Sequence, residues 1–134
     1  MVRVKKTANK KAKLVAKFAS DKKGENIAIL DMRTVSGICD WFVLVSAGSN
    51  RQVNAIAQNI EEEMSDKGFP LLHGEGRQSQ AWVLLDYGDV VAHVFYDKLR
   101  EFYGLERLWS DAPLEYFKEK CAKKTTKQRS RKSY

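Results

Sequence analysis

The sequence predicts a single small α/β domain, a mixed sheet of about five strands with flanking helices. Three observations carry that expectation. Short apolar runs of strand composition alternate with helical patterns, a strongly amphipathic stretch occupies 49–67, and two apolar runs close on a turn at 86–89.

In chain order, Leu14, Val15 and Phe18 fall at i, i+1 and i+4 among lysines, so 10–19 reads as a short helix docking one apolar edge. The runs 27–31 and 41–46 are rich in β-branched and aromatic residues and read as strands, with 34–40 as the loop between them. Over 49–67, Val53, Ile56, Ala57, Ile60 and Met64 share a helical stripe, and Glu61, Glu62 and Glu63 lie mostly off it. Ser49 with Gln52 resembles a capping box, and Gly68 is placed to end the helix. A strand over 69–73 then completes a strand-helix-strand unit.

The runs 81–85 and 90–95 flank Asp86-Tyr87-Gly88-Asp89, a hairpin with Tyr87-Gly88 as its two-residue loop. In that register 82 faces 93 and 84 faces 91. One sheet face carries Ala81, Val83, Leu85, Val90, Ala92 and Val94 and needs a core. The other carries Trp82, Leu84, Val91 and His93, mixing apolar bulk with hydrogen-bonding groups, and suits a covering helix or a partner. Short helical turns follow at 98–103 and 106–109, and a last helix at 114–122. No internal repeat is present.

Charge divides the 134 residues unevenly. Residues 1–24 hold nine Lys/Arg and one acid, 25–117 hold seven against fifteen, and 118–134 hold eight against one. An acidic domain therefore lies between two basic ends. The expected organisation is a basic segment 1–9, a domain 10–117 and a basic tail 118–134 without stable structure of its own. The tails can attract a phosphate backbone, or merely solubilise the chain. The longest strictly apolar runs are five residues (41–45 and 81–85), against the ~20 that cross a bilayer. The Lys-rich start lacks the apolar stretch of a signal peptide, so the expected setting is reducing and cytoplasmic.

Chemistry finds little support in the residues. A nucleotidyltransferase begins with a Gly-Ser corner before a helix, as Gly48-Ser49 does, but needs two carboxylates holding a divalent metal, and no DxD pair follows. Asp86 and Asp89 have the spacing of turn formers. One glycine at 47–50 makes a poor phosphate loop. His73 and His93 are the two histidines, and neither Cys39 nor Cys121 has a neighbouring base that would make it a nucleophile. No metal or cofactor is implied. Trp41 reads as core, and Trp82 and Trp109 as interface anchors.

Lys22-Lys23-Gly24-Glu25-Asn26-Ile27 leading to Asp31, Cys39-Asp40-Trp41-Phe42, Ser49 through Ile56, Gly74-Glu75-Gly76, Trp82 through Val91 with His93, and Arg100 through Trp109 together resemble the ribosomal silencing factor (iojap) family. The resemblance implies a domain shaped like the nucleotidyltransferases without their catalytic pair. It implies binding to the large ribosomal subunit through ribosomal protein fourteen, blocking small-subunit joining and repressing translation under nutrient limitation. It places Trp82, Asp86, Tyr87, Asp89, His93, Arg100, Tyr103 and Glu106 at or beside the partner surface. A monomer or weak homodimer is expected, with contact to ribosomal RNA by the basic tails. The alternatives are a nucleotide-handling enzyme with a degenerate site and a tail-driven RNA-binding module.

Overall fold

The first helix, α1, spans Val2–Asp21 and so begins eight residues before the expected start. Ala12, Val15, Ala16 and Ala19 repeat at three and four residues, and all four are fully buried. The computed structural model describes residues 2–33, 39–103 and 113–117, with side chains at 10–33, 39–100 and 113–117. The expected turn at 106–109, the interior of the 34–40 loop and the tail 118–134 lie outside the described residues.

Strands β1 (Glu25–Asp31) and β2 (Trp41–Ala47) pair antiparallel. Helix α2 (Asn50–Asp66) follows, capped by Ser49, whose Oγ accepts the Gln52 amide at 3.1 Å. The reciprocal half of the capping box is displaced by one residue. Gln52 Oε1 accepts from the Gly48 amide at 2.9 Å, and its Nε2 donates to the carbonyls of Lys22 and Lys23, tying the start of α2 to the end of α1. The buried residues of α2 are Val53, Ile56, Ala57, Ile60 and Met64, the expected stripe, and Gly68 at φ +91° lies just beyond its end.

The next strand departs from expectation. β3 is His73–Glu75, not 69–73, and it lies antiparallel to β4 (Trp82–Asp86) at the sheet edge. Phe69 and Leu71 instead pack partly buried against the core. The chain reaches the β4 edge only at Leu72, whose amide donates to the Asp86 carbonyl at 2.9 Å. The parallel partner of β2 is therefore not β3 but β5 (Val90–Tyr96), with Trp41 opposite Val90 and Ala47 opposite Tyr96.

The β4–β5 hairpin has the expected faces but a register shifted by two residues. Trp82 faces Phe95, Leu84 faces His93 and Asp86 faces Val91. The Tyr87 amide donates to the Val90 carbonyl at 2.8 Å, so the two-residue loop is Gly88-Asp89 rather than Tyr87-Gly88. The cause is conformational: Gly88 sits at φ +94° with no positive φ at Asp89, the pattern of a type II′ turn, which wants glycine first. A shift of two preserves which side each residue faces.

After β5 comes α3 (Asp97–Tyr103). The helix expected over 114–122 is corrected: Leu114–Tyr116 forms strand β6 on the outer edge of β1. The ladder extends through Asp31 N–H to the Pro113 carbonyl (2.9 Å) and Phe117 N–H to the Ile27 carbonyl (2.8 Å). Unpaired backbone groups on β1 demand a partner, and that need outweighs the weak helical pattern of the segment.

Among the described residues the sheet has six strands in the order β3-β4-β5-β2-β1-β6, with β2–β5 its parallel pair. Helices α1 and α2 pack on one face, enclosing Ile29, Val43, Val45, Ile56, Ile60, Leu85 and Val94. Each such fully buried aliphatic contributes roughly 1.5–3 kcal/mol. The opposite face gathers Leu30, Met32, Leu44, Val91 and Phe95, with Phe42, Trp82 and Leu84 partly exposed at its margin.

Candidate protein-binding face

Period-two alternation sends Trp82, Leu84 and Asp86 to the face opposite α1 and α2, and likewise Val91, His93 and Phe95 on the neighbouring strand. The register makes His93 the diagonal neighbour of Trp82. The indole Nε1–H of Trp82 donates to His93 Nδ1 at 3.1 Å. Phe42 meets the imidazole edge-on at 4.7 Å between centroids, and Phe95 stacks parallel to it at 5.9 Å. Trp82 and Phe95 are themselves 5.1 Å apart. A tryptophan, two phenylalanines and a histidine thus form one aromatic cluster, rigid because each ring is in van der Waals contact with another.

His93 is 5% exposed. Burial penalises its charged form and pushes its pKa down to about 4, so the ring is neutral at physiological pH. With Nδ1 accepting from Trp82, the ring proton is assigned to Nε2, a buried donor with no hydrogen-bond partner among the described residues. Trp82 stays half-buried at the rim, its ring set in place by a group that cannot turn away.

The approach to Trp82 is equally fixed. Gly76 adopts φ +89°, and a Cβ there would lie 2.0 Å from the Trp82 carbonyl oxygen. Its own carbonyl accepts from the Gln80 amide at 3.1 Å, closing a turn over 76–80. Arg77 fastens that turn to α2 through Asn54 Oδ1 (2.8 Å) and Glu61, and Asn50 Nδ2 holds the Gln80 carbonyl at 2.8 Å.

The expected site residues separate into groups. Trp82 and Asp86 share the outward face, with His93 buried beneath. Asp86 Oδ1 accepts the Gly88 amide at 2.8 Å and shapes the turn. Tyr87 points the other way: it is 3% exposed within the α1/α2 core, its hydroxyl without a partner among the described residues and its pKa raised by burial. Asp89 pairs with Lys11 at 2.7 Å, and the same ammonium donates to the Tyr87 carbonyl at 3.0 Å, so α1 anchors the hairpin turn. Arg100 is 5% exposed, and its Nη1 donates to the Asn26 carbonyl (2.7 Å) and Ser46 Oγ (2.8 Å). It pins α3 across β1 and β2 rather than projecting outward. The Tyr103 side chain and Glu106 lie outside the described residues.

Phe42 and Phe95 complete the cluster and were not among the expected site residues. Their parity on strands was readable, but only the β2–β5 pairing brings them together. Cys39 is buried, and desolvation together with Asp40 pushes its thiol up to about 11, which keeps it protonated. Among the described residues, no three His, Cys, Asp or Glu side chains gather as metal ligands, and no helix is long and apolar enough to cross a membrane.

Comparison with known proteins agrees with this architecture. The family model described as "Ribosomal silencing factor during starvation" matches residues 5–134. Ribosomal silencing factor RsfS of Bacillus subtilis is 42% identical over 102 residues, which cover 76% of this chain and 86% of that protein. Chloroplastic protein Iojap of Zea mays is 34% identical over 102 residues, 75% of this chain but 44% of that longer protein. A crystal structure from Chromobacterium violaceum superposes with a TM-score of 0.74 at 33% identity, covering 76% of this chain and 85% of the other. One from Bacillus halodurans gives 0.69 at 36% identity, covering 78% and 94%. With a family model spanning residues 5–134 and a bacterial relative 42% identical over 86% of its length, the chain belongs to the ribosomal silencing factor family.

Proposed function

We propose that this protein silences translation by occupying the large ribosomal subunit through ribosomal protein fourteen, so that the small subunit cannot join when nutrients are limiting. The action is steric, without catalysis. It takes place in the cytoplasm, with the protein a monomer or weak homodimer. The observation that carries the reading is the Trp82 ring, half-exposed on an aromatic cluster and locked from beneath by neutral His93. Pre-organised aromatic anchors of this kind dominate protein interfaces, because little side-chain entropy is lost on docking. Trp82 and Asp86 make the contact, His93 and Arg100 position it, and Tyr87 and Asp89 shape the turn beside it. Tyr103 and Glu106 join the surface by family resemblance.

Charge supports the same partner. Residues 25–117 carry fifteen acids against seven Lys/Arg, which suits a basic ribosomal protein and speeds encounter with it. The carboxylates a nucleotide-handling enzyme would need are otherwise engaged, Asp86 in its turn and Asp89 with Lys11. Light scattering of separated subunits mixed in magnesium tests the proposal. Stoichiometric protein lowers the amplitude of subunit joining, and Trp82→Ala restores it. Full joining in the presence of protein bound to large subunits contradicts the steric mechanism.

A further inference from the structure

Helix α1 carries Arg3, Lys6, Lys10, Lys13 and Lys17 at successive spacings of three, four, three and four residues. Such spacing aligns Lys10, Lys13 and Lys17 on one side of the helix over about 10 Å, with 1.5 Å rise per residue. Lys10, Lys13 and Lys17 are exposed, while the opposite stripe of Ala12, Val15, Ala16 and Ala19 is fully buried against the sheet. Next to the row, a groove between α1 and the end of α2 adds Lys22 and Lys67 and holds two acids, Asp21 and Glu63. Lys17 already neutralises Asp21 at 3.3 Å. The row lies on the side of the sheet away from Trp82.

We infer that this row is a second binding surface, built to run along the phosphate backbone of double-stranded RNA. A line of cations at one per helical turn is matched by a line of anions, which a duplex backbone supplies and a globular partner does not. The apolar stripe of α1 is spent on the core, so the helix has no face left to sink into a lipid surface. Among the described residues no aromatic ring stands exposed beside Lys10, Lys13 and Lys17 to stack unpaired bases: Phe18 is 4% exposed and Phe69, part-buried, lies beneath Lys11. The contact therefore reads backbone rather than sequence. Because the two surfaces face opposite ways, a partner on the Trp82 face and an RNA duplex on α1 are held at once. Only the identity of the RNA as ribosomal rests on the proposed function.

The test is anisotropy of a labelled 16-base-pair RNA duplex with full-length protein at 50 and 200 mM KCl. It compares the triple variant Lys10→Gln, Lys13→Gln, Lys17→Gln with a charge-matched triple in the tail, Lys123→Gln, Lys124→Gln, Lys127→Gln. The helix triple, confirmed folded by its melting curve, binds about tenfold or more weakly at low salt, and its plot of log affinity against log salt is shallower by about 2 to 3. The tail triple changes both far less. Equal losses in the two triples, or a larger loss in the tail, overturn the inference in favour of diffuse charge. Tighter binding to phosphatidylglycerol vesicles than to the duplex overturns it in favour of a lipid surface. Naked RNA contains no ribosomal protein, so these outcomes are independent of the Trp82 face.

Discussion

Trp82 donates its indole N–H to Nδ1 of His93 across a diagonal of the β4–β5 hairpin at 3.1 Å. One partner is at the rim and the other is buried, so the bond ties the candidate contact residue to the packed sheet. A hydrogen bond here also fixes the tautomer, which makes the pair sensitive to any change that charges the imidazole.

Acid therefore weakens the fold through His93. Its folded pKa of about 4 lies below the ordinary value near 6.5, so the unfolded chain binds the proton more readily between those values. The contribution is complete above about pH 6.5 and is lost as pH falls toward 4, amounting to about 3 kcal/mol at most. Urea unfolding of wild type and His93→Phe across pH 7.5 to 4.5 checks this. The wild type loses more stability than the variant over that range, and parallel curves would remove His93 as the cause.

Truncation at the rim separates binding from folding. Trp82→Ala weakens large-subunit binding by about 2 kcal/mol or more, as interface anchors do. Trp82→Phe keeps the ring but not the N–H and gives an intermediate loss. Pelleting assays over a range of protein concentration give the affinities, and melting curves establish that both variants fold.

Gly76→Ala tests the approach to that ring. The added methyl meets the Trp82 carbonyl at 2.0 Å and the backbone is at φ +89°. Strain and overlap together cost about 2 kcal/mol or more, read by denaturant unfolding.

Arg100→Met removes the donor to the buried Ser46 hydroxyl and to the part-buried Asn26 carbonyl and costs about 2–3 kcal/mol in the same assay. Adding Ser46→Ala to it costs less than the sum of the single losses, since the hydroxyl no longer lacks a partner.

Much of this architecture was legible from local rules. The stripe of α2 and its Ser49 cap follow from helical period and capping chemistry, and Trp82 and His93 share a face whichever even register the hairpin takes. What escaped depends on partners distant in sequence. β6 is a strand because β1 offers an unpaired edge, a demand that Leu114-Glu115-Tyr116 does not encode alone. β3 starts at His73 because Leu72 is the first residue to reach β4. Arg100 looked like a surface cation, since nothing in its neighbours announces acceptors on β1 and β2. The loop slipped because glycine at the first central position of a type II′ turn outweighed a symmetric reading of Asp86-Tyr87-Gly88-Asp89.

The most direct measurement is sedimentation of the protein with separated small subunits, separated large subunits and the two together, at two salt concentrations. Migration with large subunits alone at both salts, with loss of joined ribosomes, is the result expected. Migration with every RNA-containing particle, abolished at high salt, would contradict a specific large-subunit partner and leave charge as the only attraction.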